Sequence, residues 1–169
     1  MIKTFERHFV TVNEWLVLLL LAAMWAIVFA NVSLRYLSNF SITWAEEVAR
    51  YLMIWMTFLG AGLSLRIGGH VAITNLHDFL SIRLQRALRA LIGLLLICFF
   101  VAMMWIGYEY MMRMGRQLTP ATRIPFSYIY AAMPIGFVLM IVHLLLIARS
   151  YILGEDLPTD NVPTEGAAG

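Results

Sequence analysis

Cysteine and charge are what this chain has least of. One cysteine, Cys98, stands among 169 residues, inside an apolar run, so disulfides and cysteine-built zinc clusters are excluded. Charged residues make up 13% against 62% hydrophobic ones, and the mean hydropathy is +0.80. A soluble globule cannot clothe its surface from such a composition, so the chain belongs in a membrane. The net charge of +2 gives no reason to invoke nucleic acid. No Ser-His-Asp set, phosphate-cradling glycine loop or zinc-protease helix occurs, which leaves enzymatic activity without support. There is no internal repeat, nor the inverted-repeat signature that secondary transporters often carry.

What the chain does have is apolar length. At ~20 residues per crossing it can hold about four spans and little else. They fall at about 15–36, 45–66, 90–110 and 124–148. The expectation is an all-α integral membrane protein, with one four-helix transmembrane domain over 1–153 and a disordered acidic tail over 154–169. A cleaved signal peptide is the rival reading of the first span, with Lys3 and Arg7 as its basic start, but the apolar run exceeds the usual h-region. Arg83, Arg86 and Arg89 recur at helical spacing while Leu80, Leu84, Ala87 and Leu88 face elsewhere, which predicts an amphipathic surface helix between spans two and three. In the last span Pro125 suits a first helical turn, and Pro134 should kink the interior. The eleven methionines follow no ligand spacing and read as core filling.

The second span is the misfit. Only Tyr51 to Leu65 is free of charge, and at ~1.5 Å per residue that covers roughly 22 Å of a ~30 Å hydrocarbon core. Extension toward the N-terminus brings in Arg50, Glu47 and Glu46, while Gly68-Gly69 discourages extension at the other end. Wound as a helix, this stretch puts Trp44, Tyr51, Trp55, Phe58 and Gly62 on one side. Glu46, Arg50, Met53, Thr57, Gly60, Ala61 and Ser64 fall on the other. Thr57/Ala61 and Gly60/Ser64 have the small-xxx-small spacing that lets a neighbouring backbone approach. Glu46 precedes Arg50 by four residues, the order that favours an ion pair. Asn31, one turn before Arg35 on the first span, is a candidate hydrogen-bonding partner. Charge beside a small-residue seam points to packing against another protein, because lipid cannot fill such a groove. The plainer alternative is an interfacial collar, with Arg50 snorkelling and Trp44 and Tyr51 in the aromatic belt.

Two other classes have four spans. A haem-bearing membrane anchor needs imidazoles within the bundle; His143 is the one histidine well inside a span, and it reads more simply as a hydrogen-bonded bundle histidine. His70 and His77 with Asp78 match no metal-ligand pattern. A small proton-coupled multidrug exporter needs a carboxylate in mid-membrane, whereas Glu14 and Glu109 sit at span edges. Basic residues divide seven inside to five outside when both termini are cytoplasmic, which sets the expected orientation and puts Glu46, Glu47 and Arg50 on the extracytoplasmic side.

Arg35-Tyr36 closing the first span, Trp44-x-Glu46-Glu47-x-x-Arg50-Tyr51-x-x-x-Trp55-x-x-Phe58-x-Gly60-Ala61, His70-Val71 after Arg66, and Ile124-Pro125 with Met133-Pro134-Ile135-Gly136 together carry a resemblance. The chain resembles the small membrane subunit of TRAP (tripartite ATP-independent periplasmic) transporters, the DctQ-like family, over most of residues 10–150. The acidic tail has no counterpart in that pattern. The resemblance implies a large multi-span membrane subunit as partner, bearing the substrate and sodium sites. It implies a periplasmic substrate-binding protein that delivers an organic anion such as a dicarboxylate or a sialic acid. It implies a bacterial inner-membrane scaffold without a cofactor, beside which the large subunit moves as an elevator. Trp44, Glu46, Glu47, Arg50, Trp55, Gly60 and Ala61, with Asn31 and Arg35, are then expected to fix the fold and the partner interface without touching substrate.

Overall fold

The computed structural model describes residues 2–71 and 82–153. Within them the chain forms α1 (Ile2–Ser38), α2 (Ala45–Val71), α3 (Ile82–Arg113), a 3-10 turn (Met114–Arg116), α4 (Phe126–Tyr130) and α5 (Ala132–Leu153). Four helical stretches are long and apolar enough to cross a membrane: Glu6–Ser38, Ala45–Arg66, Ile82–Arg116 and Phe126–Ala148. The protein is therefore an all-α, four-span membrane protein. The predicted tail, 154–169, lies outside the described residues.

Apolar pattern decides where each helix packs. Along α1 the shielded positions include Glu6, Val10, Asn13, Val17, Leu20, Met24, Ile27 and Asn31, an alternation of threes and fours that forms one narrow seam. The rest of α1 shows Trp15, Leu19, Trp25 and Phe29 outward, as a helix facing hydrocarbon should. α1 packs on α2, α2 on α5, and α5 on α3, so the helices stand in the order α1, α2, α5, α3. The buried core lies where α2, α3 and α5 meet: Phe100, Phe137, Met140, Leu144 and Ile147, flanked by Phe58, Ala61 and Leu65. The Phe137 ring sits 6.0 Å from Phe58 and 5.9 Å from Phe100.

Three expectations are corrected. Gly68-Gly69 does not end α2, which runs on to Val71; each glycine weakens a helix by only about 1 kcal/mol, and no proline follows to stop it. The arginine-bearing turns are not a separate surface helix: from Ile82 they are continuous with α3, since no breaker separates Arg89 from Ala90. Leu80 and the rest of 72–81 lie outside the described residues, as do His77 and Asp78. The last span is broken at Ala131, three residues ahead of the proline expected to kink it. Pro134 has no N–H to offer the Tyr130 carbonyl; helical bonding stops at Ala131 N–H to the Ser127 carbonyl (2.9 Å) and resumes with Ile135 N–H to the Ala131 carbonyl (3.2 Å).

Gly62, Gly107 and Gly136 let helices touch. A Cβ at Gly136 would lie 2.7 Å from Phe58 Cβ and 3.0 Å from the Phe58 carbonyl oxygen, and one at Gly107 would lie 2.9 Å from Met133 Cγ. Gly93 faces open space. Gly136→Ala should destabilise the protein by about 1–3 kcal/mol, whereas Gly93→Ala should be neutral or stabilising by about 0.5–1 kcal/mol. Thermal unfolding in detergent micelles checks this, and equal shifts for the two variants would contradict the packing.

Candidate functional site

The charged collar of α2 divides into one inward and two outward groups. Glu47, buried in the first turn, turns toward the connection between α3 and α4. Its Oε2 accepts the Ala121 N–H (2.8 Å), and its Oε1 accepts the Thr122 N–H (3.1 Å) and hydroxyl (2.6 Å). An acidic residue here also complements the positive end of the helix. The connection it grips is itself tightly bonded. Thr119 and Ile124 exchange N–H donors, Thr119 N–H to the Ile124 carbonyl (2.9 Å) and Ile124 N–H to Thr119 Oγ1 (3.0 Å). The hydroxyls of Thr119 and Thr122 lie 2.7 Å apart, and Thr119 is fully buried. Arg123 takes a left-handed backbone (φ 57), uncommon for a residue with a side chain, inside this turn. Glu47 therefore ties the start of α2 to the turn that carries the chain from α3 into α4.

Asn31 performs a similar task next door. Its Oδ1 accepts the Ile42 N–H at 2.8 Å and the Ser41 hydroxyl at 3.5 Å, fastening the short link between α1 and α2. α1 itself ends with Asn39 in the left-handed region (φ 52), a conformation asparagine tolerates after a helix. Asn31 thus serves the α1–α2 link. Arg35 is exposed with its guanidinium 5.8 Å over the Tyr36 ring.

At the other end of the same helices lies a second polar clasp. Asn13 Nδ2 donates to the Leu59 carbonyl (3.1 Å) and lies 3.1 Å from His143 Nε2. Glu6 pairs with Arg66. His143 is fully buried; Phe9 lies 5.0 Å away ring to ring, and a Cβ on Gly62 would sit 2.5 Å from its Cδ2. The reading of His143 as a hydrogen-bonded bundle histidine matches this geometry. Asn13 Oδ1, His143 Nδ1 and Arg66 Nη1 are buried without partners, so this clasp is less saturated than the Glu47 latch. Asn13 and Glu6 do not stand out in the sequence, and Arg66 does so only as the residue ahead of His70-Val71. The signal was there: Asn13 and Asn31 are 18 residues apart, five turns at ~3.6 residues each, and so share one face of α1.

The remaining collar residues point outward. Glu46 and Arg50 are exposed, and the expected pair between them does not form, whereas Arg66 pairs with Glu6 and Arg113 with Glu109. Trp44 is exposed and Trp55 half-buried. Ala61 packs on the core, whereas a Cβ at Gly60 would meet nothing within 4 Å. The structure thus splits the predicted set into bracing residues (Asn31, Glu47, Ala61) and residues on free surface (Arg35, Trp44, Glu46, Arg50). A groove of about 530 Å³ between α3 and α5 is lined by Met104, Trp105, Tyr108, Pro134, Val138 and their neighbours. It has no charged group with which to hold a polar solute.

These features define a class: a four-span helical membrane protein whose buried polar groups brace its own helices. The chain belongs to the DctQ component family of the tripartite ATP-independent periplasmic transporters, whose family model matches residues 24–152. Among similar proteins, one of Haemophilus influenzae assigned to the TRAP transporter small permeases is 34% identical over 79% of this chain and 83% of its own length. The ectoine TRAP transporter small permease protein TeaB of Halomonas elongata is 30% identical over 76% of this chain and 67% of its own. The isethionate TRAP transporter permease protein DctMQ of Oleidesulfovibrio alaskensis is 25% identical over 75% of this chain, a match that occupies 22% of that longer protein.

Glu47→Ala should lower the melting temperature more than Glu46→Ala, because only the former leaves the N–H groups of Ala121 and Thr122 unbonded; matching temperatures would dismiss the latch. Asn13→Leu should cost about 0.6–2 kcal/mol, the range of interhelical polar contacts in membranes, as read from unfolding in micelles.

Proposed function

We propose that this chain is the small scaffold subunit of a sodium-coupled, binding-protein-dependent importer of organic anions, of the dicarboxylate or sialic-acid type. In this reading a large elevator-type membrane subunit carries substrate and sodium, and a periplasmic substrate-binding protein delivers the cargo. The chain sits in a bacterial inner membrane with both termini cytoplasmic, residues 1–153 acting as one membrane unit. The observation that carries the reading is the use made of the polar groups. Glu47, Asn31, Asn13 and Glu6 are engaged in joining helices, and the groove between α3 and α5 is apolar. A protein whose polar side chains are committed to bracing suits a static frame better than a solute path. Relatives named for ectoine and isethionate support an importer whose cargo is chosen by another chain.

Reconstitution tests the role. Liposomes holding the large subunit and supplied with the binding protein should import cargo only when this chain is present; full transport without it would refute the scaffold. Orientation has its own measurement. In a Cys98→Ser background, a cysteine at Arg123 should react with a membrane-impermeant maleimide in spheroplasts, and one at Arg86 should react only after lysis. The reverse pattern would invert the topology.

A further inference from the structure

Each span shows some of its surface to whatever surrounds the protein, and three of the four show large apolar side chains. On α1 these include Trp15, Leu19, Trp25 and Phe29; on α3, Leu91, Leu95 and Phe99; on α5, Ile135, Val138 and Leu145. α2 differs. Between 45 and 66 its exposed residues are Glu46, Arg50, Met53, Thr57 and Ser64. With Gly60 they follow a four-three spacing and fall within roughly 80° of one another at ~100° per residue. This is a vacant heptad seam running along the span, small or polar except for Met53, its one large apolar residue. The Thr57 hydroxyl is satisfied within the helix, donating to the Met53 carbonyl at 2.8 Å, so it offers a neighbour a compact surface. Arg50 has no carboxylate partner among the described residues.

Hydrocarbon is a poor neighbour for such a face. It cannot fill a notch at a glycine, and a guanidinium beside it needs an anion or a route to the headgroups. α1 and α5 already occupy the flanks of α2. We infer that the Glu46–Arg50–Met53–Thr57–Gly60–Ser64 face of α2 is the docking seam for a transmembrane helix of the large permease subunit, one that sets a carboxylate opposite Arg50 and a close-packed backbone opposite Gly60. This assignment rests on the scaffold reading above. Two observations select the occupant. A second copy docked by a two-fold axis along the bilayer normal would bring Arg50 against Arg50 and Glu46 against Glu46, like charge on like. And in the DctMQ relative the stretch matching this chain is 22% of a longer permease protein, so there it shares a polypeptide with additional chain.

The test uses membranes co-expressing both subunits. Single cysteines replace Met53, Thr57, Gly60 or Ser64 in the Cys98→Ser background, with Leu19 and Leu95 as outward-facing controls. Bifunctional maleimides should link the four seam positions to the large subunit and leave the controls unlinked. Gly60→Leu, whose Cβ would meet no atom of this chain within 4 Å, should elute as a folded protein yet recover about tenfold less large subunit in pull-downs, equivalent to roughly 1.4 kcal/mol. Arg50→Glu should weaken recovery and regain it when the facing carboxylate becomes arginine. Links from the controls in place of the seam, with the complex intact, would overturn the assignment and leave the scaffold reading standing. Links between two copies of this chain through the seam would overturn it in favour of self-association. Failure of the unsubstituted chain to recover any large subunit would remove the scaffold reading itself.

Discussion

Hydrocarbon gives a polar group nothing to bond with, and that constraint organises this protein. Burying an unpartnered polar group costs several kcal/mol in such surroundings, so each buried polar side chain has to find a partner on a neighbouring helix or turn. Glu47 answers the rule most fully, with three donors on its two oxygens. Once it does, the α3–α4 turn is pinned to the start of α2, and α3, at one end of the helix row, is no longer independent of α2. Asn31 and Asn13 extend the same logic to α1, which shares its narrow seam with α2 and would otherwise have only the Glu6–Arg66 pair and apolar contact to set its position.

Much of the fold was legible because it depends on one-dimensional quantities. Four apolar lengths set the number of spans, and a missing N–H at Pro134 announced a break in the last one. The break falls one turn ahead of Pro134, at Ala131, because the bond its missing N–H forgoes is the one to the Tyr130 carbonyl. The arginines before the third span misled. Their spacing fits a helix lying on the membrane, yet the same spacing serves a helix that emerges from it, and nothing between Arg89 and Ala90 distinguishes the two.

The collar was legible as a site and less so in its details. Three charges within five residues marked Glu46, Glu47 and Arg50 as unusual, and helical geometry sorted Phe58 and Gly62 from Met53, Thr57 and Ser64, as they stand in the structure. It could not tell that Glu47 turns to a stretch 74 residues on, because a backbone N–H in a distant turn leaves no mark in sequence. Nor could it tell that Glu46 and Arg50 would stay apart. An i,i+4 pair is worth a few tenths of a kcal/mol on an exposed helix, too little to dictate a rotamer. Ala61 shows the limit from the other side: it lies at the edge of the small-residue set, and a few tens of degrees decide that it packs inward.

The spacing of the two asparagines on α1 has a further consequence. Asn13 and Asn31 are separated by 18 residues, or ~27 Å of helix rise, close to the ~30 Å depth of a bilayer's oily interior. Each is tied to a fixed backbone point, one at Leu59 and one at Ile42. The first helix therefore acts as a caliper. Both amides are buried against the protein, so α1 cannot slide along α2 without breaking a bond at one jaw or the other.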